Sequence, residues 1–295
     1  MPCYHPLSAW RDPVSGTIEF YDRGRGDRLD LPCGRCIGCR LERSRHWASR
    51  IMFEAQMHDS NSFITLTYDD GNVPFPPSLD HSHFQKFMKR LRKRIGAVRF
   101  YMCGEYGEQN FRPHFHACIF GTDFPDRVLW SVGPSGHNLY RSPLLESVWP
   151  FGFSSVADLS FESAAYVARY VLKKVTGDLA ESHYSFTDVE TGEVFQRVPE
   201  YARMSLKPGI GGSWFDKYSS DVYNDDRDFV VINGRTCKPP RYFDKLLRRV
   251  DRKLYDYVKS DRSCGPASAH TSESRLAAAE EVQLAALSRL SPRSL

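Results

Sequence analysis

"RPHFHACIF", residues 112–120, is an apolar stretch interrupted by two histidines, His114 and His116, with only Phe115 between them. In an extended chain successive side chains point to opposite faces, so the imidazoles share one face while Phe115, Ala117 and Ile119 share the other. A half-buried pair hydrogen-bonded to its neighbours fits that pattern, and so does a pair of ligands to one divalent ion. The preceding "VRFYMCGEYG" (98–107) reads as the hairpin partner, and Pro113 suits the start of a strand but not the middle of a central one. A hairpin centred between Gln109 and Asn110 sets Glu105 opposite His114. A carboxylate and two imidazoles then converge and leave positions open for water and a phosphate oxygen. That mixed, open shell suits Mg²⁺ or Mn²⁺ as a Lewis acid better than structural zinc. The ordinary alternative for Glu105 is a solvated carboxylate at a hairpin end.

Working outward, "FITLTY" (63–68) is a strand closed by the turn "DDGN". Over 80–95, Phe84, Phe87, Met88, Leu91 and Ile95 form one core-facing stripe of a helix. A second helix is expected over about 40–57, from Trp47, Ile51 and Ala55, and a short strand at "TIEFY" (17–21). "FESAAYVARYVLKKV" (161–175) predicts a helix with Ser160 as N-cap and Glu162 in the first turn; Ser163 at the third position gives no capping box. Residues 177–238 read as a β-rich insertion with strands at "HYSF", "EVFQRV" and "FVVI", and residues 239–258 as one helix. "SDRSCGPASAHTSES" is a linker by composition, followed by a terminal helix, "RLAAAEEVQLAALSRL".

On the 161–175 helix, Tyr166 and Tyr170 are one turn apart, with Lys173 or Lys174 three or four residues on. Phenol oxygens can attack phosphorus, and a nearby cation favours the phenolate, although an aromatic core stripe reads the same way.

The chain has 295 residues, 41% hydrophobic, enough for one large or two small domains. It has no apolar run long enough to cross a membrane, and "MPCYHPLSAW" does not read as a signal peptide, so a cytosolic protein is expected. The net charge of +4 is mild, but residues 83–95 hold six Lys or Arg, and Arg35, Arg40, Arg43, Arg45 and Arg50 crowd a second stretch. Such density suits phosphate contacts, and equally a solvated helix face. Four of the eight cysteines fall in the first 39 residues: Cys3, Cys33, Cys36 and Cys39, with His5 nearby. Three thiolates of a CxxCxxC plus Cys3 or His5 would make a closed zinc site tying the N-terminal arm to the core; reduced cysteines in a Gly-rich turn are the alternative. No downstream Cys-Pro supplies the fourth ligand of an iron–sulfur cluster.

In order and spacing, "MPCYHP", "PCGRCIGCR", "FITLTYDD", "CGEYGEQNFRPHFH", "YVARYVLKK" and "KPGIGGSWF" resemble the replication initiators of the microviruses, above all their gokushovirus branch. These are HUH endonucleases, the single-strand nickases of rolling-circle replication. The likeness runs from residue 1 to about 240. It implies an α+β fold: an RRM-like central antiparallel sheet with the HUH strand at its centre and helices packed against it. It makes His114, His116 and Glu105 the ligands of Mg²⁺ or Mn²⁺, Tyr166 and Tyr170 the nucleophiles, and Lys173 a supporting cation. The implied activity is nicking of single-stranded phage origin DNA through a 5′-phosphotyrosine, followed by rejoining. The implied partners are single-stranded and supercoiled origin DNA, with a host helicase and polymerase in the bacterial cytoplasm; no membrane is involved. The expected organisation is a nuclease domain over 1–176 with a Cys-rich arm, a β-rich then helical extension over 177–262, and a linker with a terminal helix over 263–295.

Of three rival readings, one fails on the sequence and two remain. A histidine-triad hydrolase needs a third histidine, where position 118 is Cys. A non-catalytic zinc-bearing DNA-binding protein explains the cysteines and basic helices but leaves Glu105, Tyr166 and Tyr170 without a role. A relaxase or single-strand transposase shares the same chemistry. No GxxxxGK[ST] stretch is present, so no helicase motor is expected in this chain.

Overall fold

The computed structural model describes residues 3–24, 26–107, 110–133, 136–170, 174–175, 177–224, 227–264 and 272–289. The chain divides into two units, residues 1–45 with 261–295, and residues 46–260. In the first, β1 (Leu7–Arg11) lies between β2 (Ile18–Glu19) and β3 (Asp27–Leu31) in an antiparallel sheet. Helix α1 (Ile37–Ala55) starts in this unit and ends in the second, beginning three residues before the expected start at 40.

The second unit runs β4 (Asn61–Tyr68), α2 (His81–Ile95), β5 (Arg99–Tyr106), β6 (Pro113–Phe120), β7 (Val128–Val132), β8 (Asn138–Arg141), α3 (Pro143–Val148), β9 (Gly152–Asp158) and α4 (Phe161–Tyr170). After α4 come α5 (Leu179–Tyr184), a hairpin of β10 (Ser185–Thr187) with β11 (Val194–Gln196), then β12 (Tyr201–Met204) and α6 (Gly212–Val222). Two more hairpins follow, β13 (Tyr223–Asn224) with β14 (Arg227–Asp228) and β15 (Val230–Ile232) with β16 (Arg235–Cys237). The chain continues through α7 (Arg241–Val250) and α8 (Arg252–Cys264) to α9 (Glu273–Ser288), which belongs to the first unit.

Seven strands form one antiparallel sheet in the order β12-β5-β6-β4-β9-β8-β7. The fold is therefore α+β, with the histidine strand β6 between β5 and β4. In β4 burial alternates residue by residue, and Ile64, Leu66 and Tyr68 face the same core as Phe115, Ala117 and Ile119 of β6. That core is covered by Phe84, Phe87, Met88 and Leu91 of α2. Each buried side chain contributes about 2 kcal/mol of transfer free energy. The Asp80 cap on Ser82 N–H (2.8 Å) adds only about 1 kcal/mol, so packing holds α2 in place.

The opposite sheet face carries Tyr101, Cys103, Cys118 and Phe120, covered by Ala48 and Ile51 of α1, Ala164 and Val167 of α4, and Ile210. With helices on both faces, every residue of β6 except His114 is buried. A third core joins Phe53 of α1 to Phe215, Phe243, Leu247 and Val258 of α6, α7 and α8.

Several expectations change. The helix over 161–175 is described only to Tyr170, and Lys174 and Val175 lie outside any helix. Its start is a reciprocal cap after all: Ser163 N–H donates to Ser160 Oγ (3.2 Å) and Ser160 N–H to Ser163 Oγ (2.8 Å). A serine hydroxyl reaches as a glutamate would. "HYSF" divides between the end of α5 and the start of β10. Tyr201–Met204 extends the main sheet beside β5, and "GGSWF" opens helix α6. The single helix expected over 239–258 breaks at Asp251, whose backbone is extended and whose carboxylate accepts from Leu254 N–H (2.9 Å) to start α8. Helix α8 also takes up residues 260–264, expected to be linker.

Candidate active site

Strand β5 supplies Glu105 and β6 supplies the histidines. The ladder pairs Glu105 with His114 and Cys103 with His116, the register of a hairpin centred between 109 and 110. On the other flank, β4 sets Thr65 beside His116 and Thr67 beside His114. Paired residues point to the same face, so these side chains form a polar group on the face that carries α4.

His114 Nε2 lies 2.5 Å and His116 Nε2 2.9 Å from one oxygen, Glu105 Oε1. The second nitrogen of each ring is also engaged. His114 Nδ1 stands 3.1 Å from the Arg112 carbonyl, which can only accept, so Nδ1 carries a proton. In the neutral ring Nε2 then turns a lone pair toward the carboxylate. His116 Nδ1 is 2.9 Å from Thr65 Oγ1, which can accept in the same sense. With both Nδ1 atoms protonated, lone pairs on two nitrogens and one carboxylate oxygen face one another, an arrangement that requires a proton or a cation between them. Glu105 Oε2 is buried with no hydrogen-bond partner among the described residues, which a bound cation would also satisfy. The residues present therefore fit a divalent cation. With a proton rather than a metal ion in that gap, burial alone would raise the Glu105 pKa, but the hydrogen bonds that a protonated His114 or His116 then donates outweigh it and hold the carboxyl below its ordinary value. Side-chain exposure falls from 16% at His114 to 8% at His116 and 4% at Glu105, so the group opens on the His114 side.

Helix α4 crosses this face and brings Tyr166 to it. The Tyr166 ring stands edge-on to His116, with centroids 5.3 Å apart and planes at 81°, and packs against Phe63 at 6.3 Å. Tyr170 closes the helix one turn later; its side chain, and Lys173, lie outside the described residues. Two partners were not read from the sequence. One is Thr65, visible only once β4 is registered on β6. The other is Arg169, three residues after Tyr166, half-buried; burial lowers its pKa and the Tyr166 phenol works the other way. The i, i+3 spacing was the available signal.

The basic stretches divide. Arg50 is a structural residue, sandwiched between the rings of Trp47 (4.0 Å) and Tyr242 (3.9 Å) and donating from Nε to the Ile210 carbonyl (2.9 Å). Burial brings its pKa down to about 10, which leaves it charged at neutral pH; its two faces and Nε are already taken up within the protein. Arg45 is paired with Glu42 at 2.6 Å, while Arg35 and Arg43 are exposed. Lys86, Lys89 and Lys93 are exposed on α2, which covers the sheet face opposite the histidines. The thiol sulfurs of Cys3, Cys33, Cys36 and Cys39 lie within 4.8 Å of one another. His5 turns instead to Glu280, at 2.6 Å.

A family model described as replication-associated protein ORF2/G2P matches residues 61–175, the span from β4 past α4 that holds Glu105, His114, His116 and Tyr166. The replication-associated protein ORF2 of Spiroplasma virus 4 is 30% identical over 289 residues, covering 89% of this chain and 86% of its own. The chain belongs to this replication-associated protein family. The family likeness extends to the replication-associated protein VP4 of Bdellovibrio phage phiMH2K, 30% identical over 84% of this chain and 78% of its own. The replication-associated protein ORF4 of Chlamydia phage 1 is 31% identical over 79% of this chain and 57% of its own. No solved structure gives a significant match to this replication-associated protein. Among its described residues no helix is long and apolar enough to cross a membrane.

Proposed function

We propose that the chain is an HUH-type replication initiator that nicks single-stranded phage origin DNA and rejoins it by tyrosine transesterification. The observation that carries this reading is the meeting of Glu105, His114 and His116 on one sheet face with the Tyr166 ring beside His116. In the first step the Tyr166 oxygen attacks the scissile phosphorus, a P–O bond to Tyr166 forms and the P–O3′ bond breaks. The 3′ oxygen leaves with a proton, and the 5′ end stays on the enzyme as a phosphotyrosine. Rejoining is the reverse, with a 3′-hydroxyl attacking and Tyr166 leaving.

Glu105, His114 and His116 would hold a Mg²⁺ or Mn²⁺ ion, which when bound supplies Lewis-acid polarisation of the phosphate. Arg169, close enough to interact electrostatically with Tyr166, favours the charged phenolate as it attacks and leaves. Thr65 and the Arg112 carbonyl fix the histidine tautomers so that both Nε2 atoms keep lone pairs for a ligand. Tyr170, one turn on, is the second nucleophile in this scheme and Lys173 its cation. A replication cycle that opens an origin and later releases a unit circle needs two attacks, and one tyrosine already bound to DNA cannot make the second. The protein acts in the bacterial host, where helicase and polymerase are supplied by the host.

The test is incubation of the full chain with a single-stranded origin oligonucleotide and Mn²⁺, with denaturing electrophoresis and peptide mapping of the adduct. A covalent band mapped to Tyr166 or Tyr170 is expected. Binding without any covalent product would replace this reading with that of a non-catalytic DNA-binding protein.

A further inference from the structure

The four cysteines of the first unit belong to no step of that chemistry, and their surroundings are those of a metal site. They come from two separate pieces of chain. Cys3 precedes β1, and Cys33 follows β3, the strand that pairs Leu7 with Leu31, so the two thiols close the open end of the β1–β3 ladder. Cys36 lies one residue before α1, and Cys39 is in its first turn.

The sulfurs are already spaced for a tetrahedron. With metal–sulfur bonds of about 2.3 Å, a tetrahedral ion has sulfur–sulfur edges of about 3.8 Å. Cys36 Sγ and Cys3 Sγ are 3.9 Å apart, and all four lie within 4.8 Å of one another. All four are free thiols.

Backbone N–H groups surround these sulfurs as donors. Cys33 Sγ accepts from Arg35 N–H (3.4 Å) and Cys36 N–H (3.3 Å), a turn made possible by Gly34 at φ +74°. Cys3 Sγ accepts from Cys33 N–H (3.2 Å), and Cys36 Sγ from Tyr4 N–H (3.4 Å). A neutral thiol is a weak acceptor, whereas a thiolate bound to a metal carries charge that such donors stabilise.

The unit also needs a tie. Its buried apolar side chains among the described residues are Tyr4, Ala9, Cys36 and Leu276. A region with so little core is ordinarily stapled by a disulfide or a metal.

We propose that Cys3, Cys33, Cys36 and Cys39 hold one structural zinc ion in a closed four-thiolate site. The site is separate from the Glu105–His114–His116 group and stands or falls independently of it. Soft, tetrahedral, all-sulfur coordination selects zinc over Mg²⁺ or Mn²⁺.

The full chain, grown with zinc and iron both available and dialysed against EDTA, is analysed for metals. About one zinc per chain is expected, and the same content in a Glu105→Ala/His114→Ala/His116→Ala variant. An organomercurial thiol reagent should release that zinc in step with modification of these four cysteines, scored by peptide mapping. Cobalt substitution should give the intense visible bands of tetrahedral thiolate coordination, and Cys36→Ser should lower zinc content at least fivefold. Native protein with no retained zinc, iron in its place, zinc that disappears in the Glu/His variant, or free alkylation of all four thiols without metal release would each overturn the proposal. The wild-type measurements decide it even where Cys36→Ser fails to fold.

Discussion

The two faces of the seven-stranded sheet are made from alternate residues of the same strands, yet they differ in kind. Under α2, Ile64, Leu66, Met102, Phe115, Ala117 and Ile119 form an apolar surface. Under α1 and α4 the middle is equally apolar, with Tyr101, Cys103, Cys118 and Phe120, but charged groups are buried at both ends. At one end stand Glu105, His114 and His116; at the other, Arg99 of β5 meets the buried carboxylate of Glu54, which also accepts from Gly211 N–H (2.7 Å). One face is apolar throughout and the other gathers polar groups at its ends, and alternation along a strand lets one short sequence do both.

The largest expected effect tests the proposed metal end of the polar face. Glu105→Ala or His116→Ala should lower oligonucleotide cleavage about 10³-fold, equivalent to about 4 kcal/mol in the barrier, with single-strand affinity within about twofold of wild type. Cleavage that survives EDTA would place the chemistry elsewhere. Next come the tyrosines. Tyr166→Phe or Tyr170→Phe alone should leave first-round nicking within about twofold and lower release of unit circles about tenfold, while the double variant forms no adduct. DNA linked to one tyrosine under every condition would make the other a packing residue.

The apolar face should respond in stability rather than rate. Leu91→Ala is expected to cost about 3 kcal/mol in denaturant unfolding, with cleavage per folded molecule unchanged. A large rate loss in that variant would show that the two faces are coupled.

Glu54 gives the contrast its pH dependence. Burial pushes its pKa up, but His58, Gly211 N–H and Arg99 more than offset this and hold the folded value below the ordinary one. The unfolded chain therefore binds this proton more readily. The stabilisation is fully present above the unfolded pKa of about 4.3 and is lost as pH falls through the folded value. Glu54→Gln should lower stability by about 3 kcal/mol at neutral pH and flatten its acid dependence, read from melts between about pH 3 and 7. The smallest effect belongs to α2: replacing Lys89 and Lys93 by Gln should change the salt slope of short single-strand binding by less than about 0.7. A larger change would mean that DNA reaches the apolar side of the sheet as well.

What could be read from the sequence follows the same division. Alternation in "FITLTY", the stripe of α2 and the hairpin arithmetic that pairs Glu105 with His114 are local signals, and they hold to within a few residues. Other features depend on distant partners. The four residues Tyr201–Met204 make a strand only because the edge of β5 is open to them. Arg50 reads as a phosphate contact until Trp47 and Tyr242 are seen on either side of it. Thr65 gains its role from a neighbour 51 positions away. Asp251 divides a continuous apolar stripe because one carboxylate caps the next helix.

The Glu105–His114 pairing also limits how this gene can drift. Side chains on a strand repeat every two residues, so a single codon gained or lost between Glu105 and His114, unless absorbed as a bulge, would turn the carboxylate to the far side of the sheet. Length changes in that short interval are tolerable in pairs or where the turn takes up the extra residue. Substitutions there leave the register as it is, so what the Glu105–His114 pairing constrains first is the parity of the interval's length.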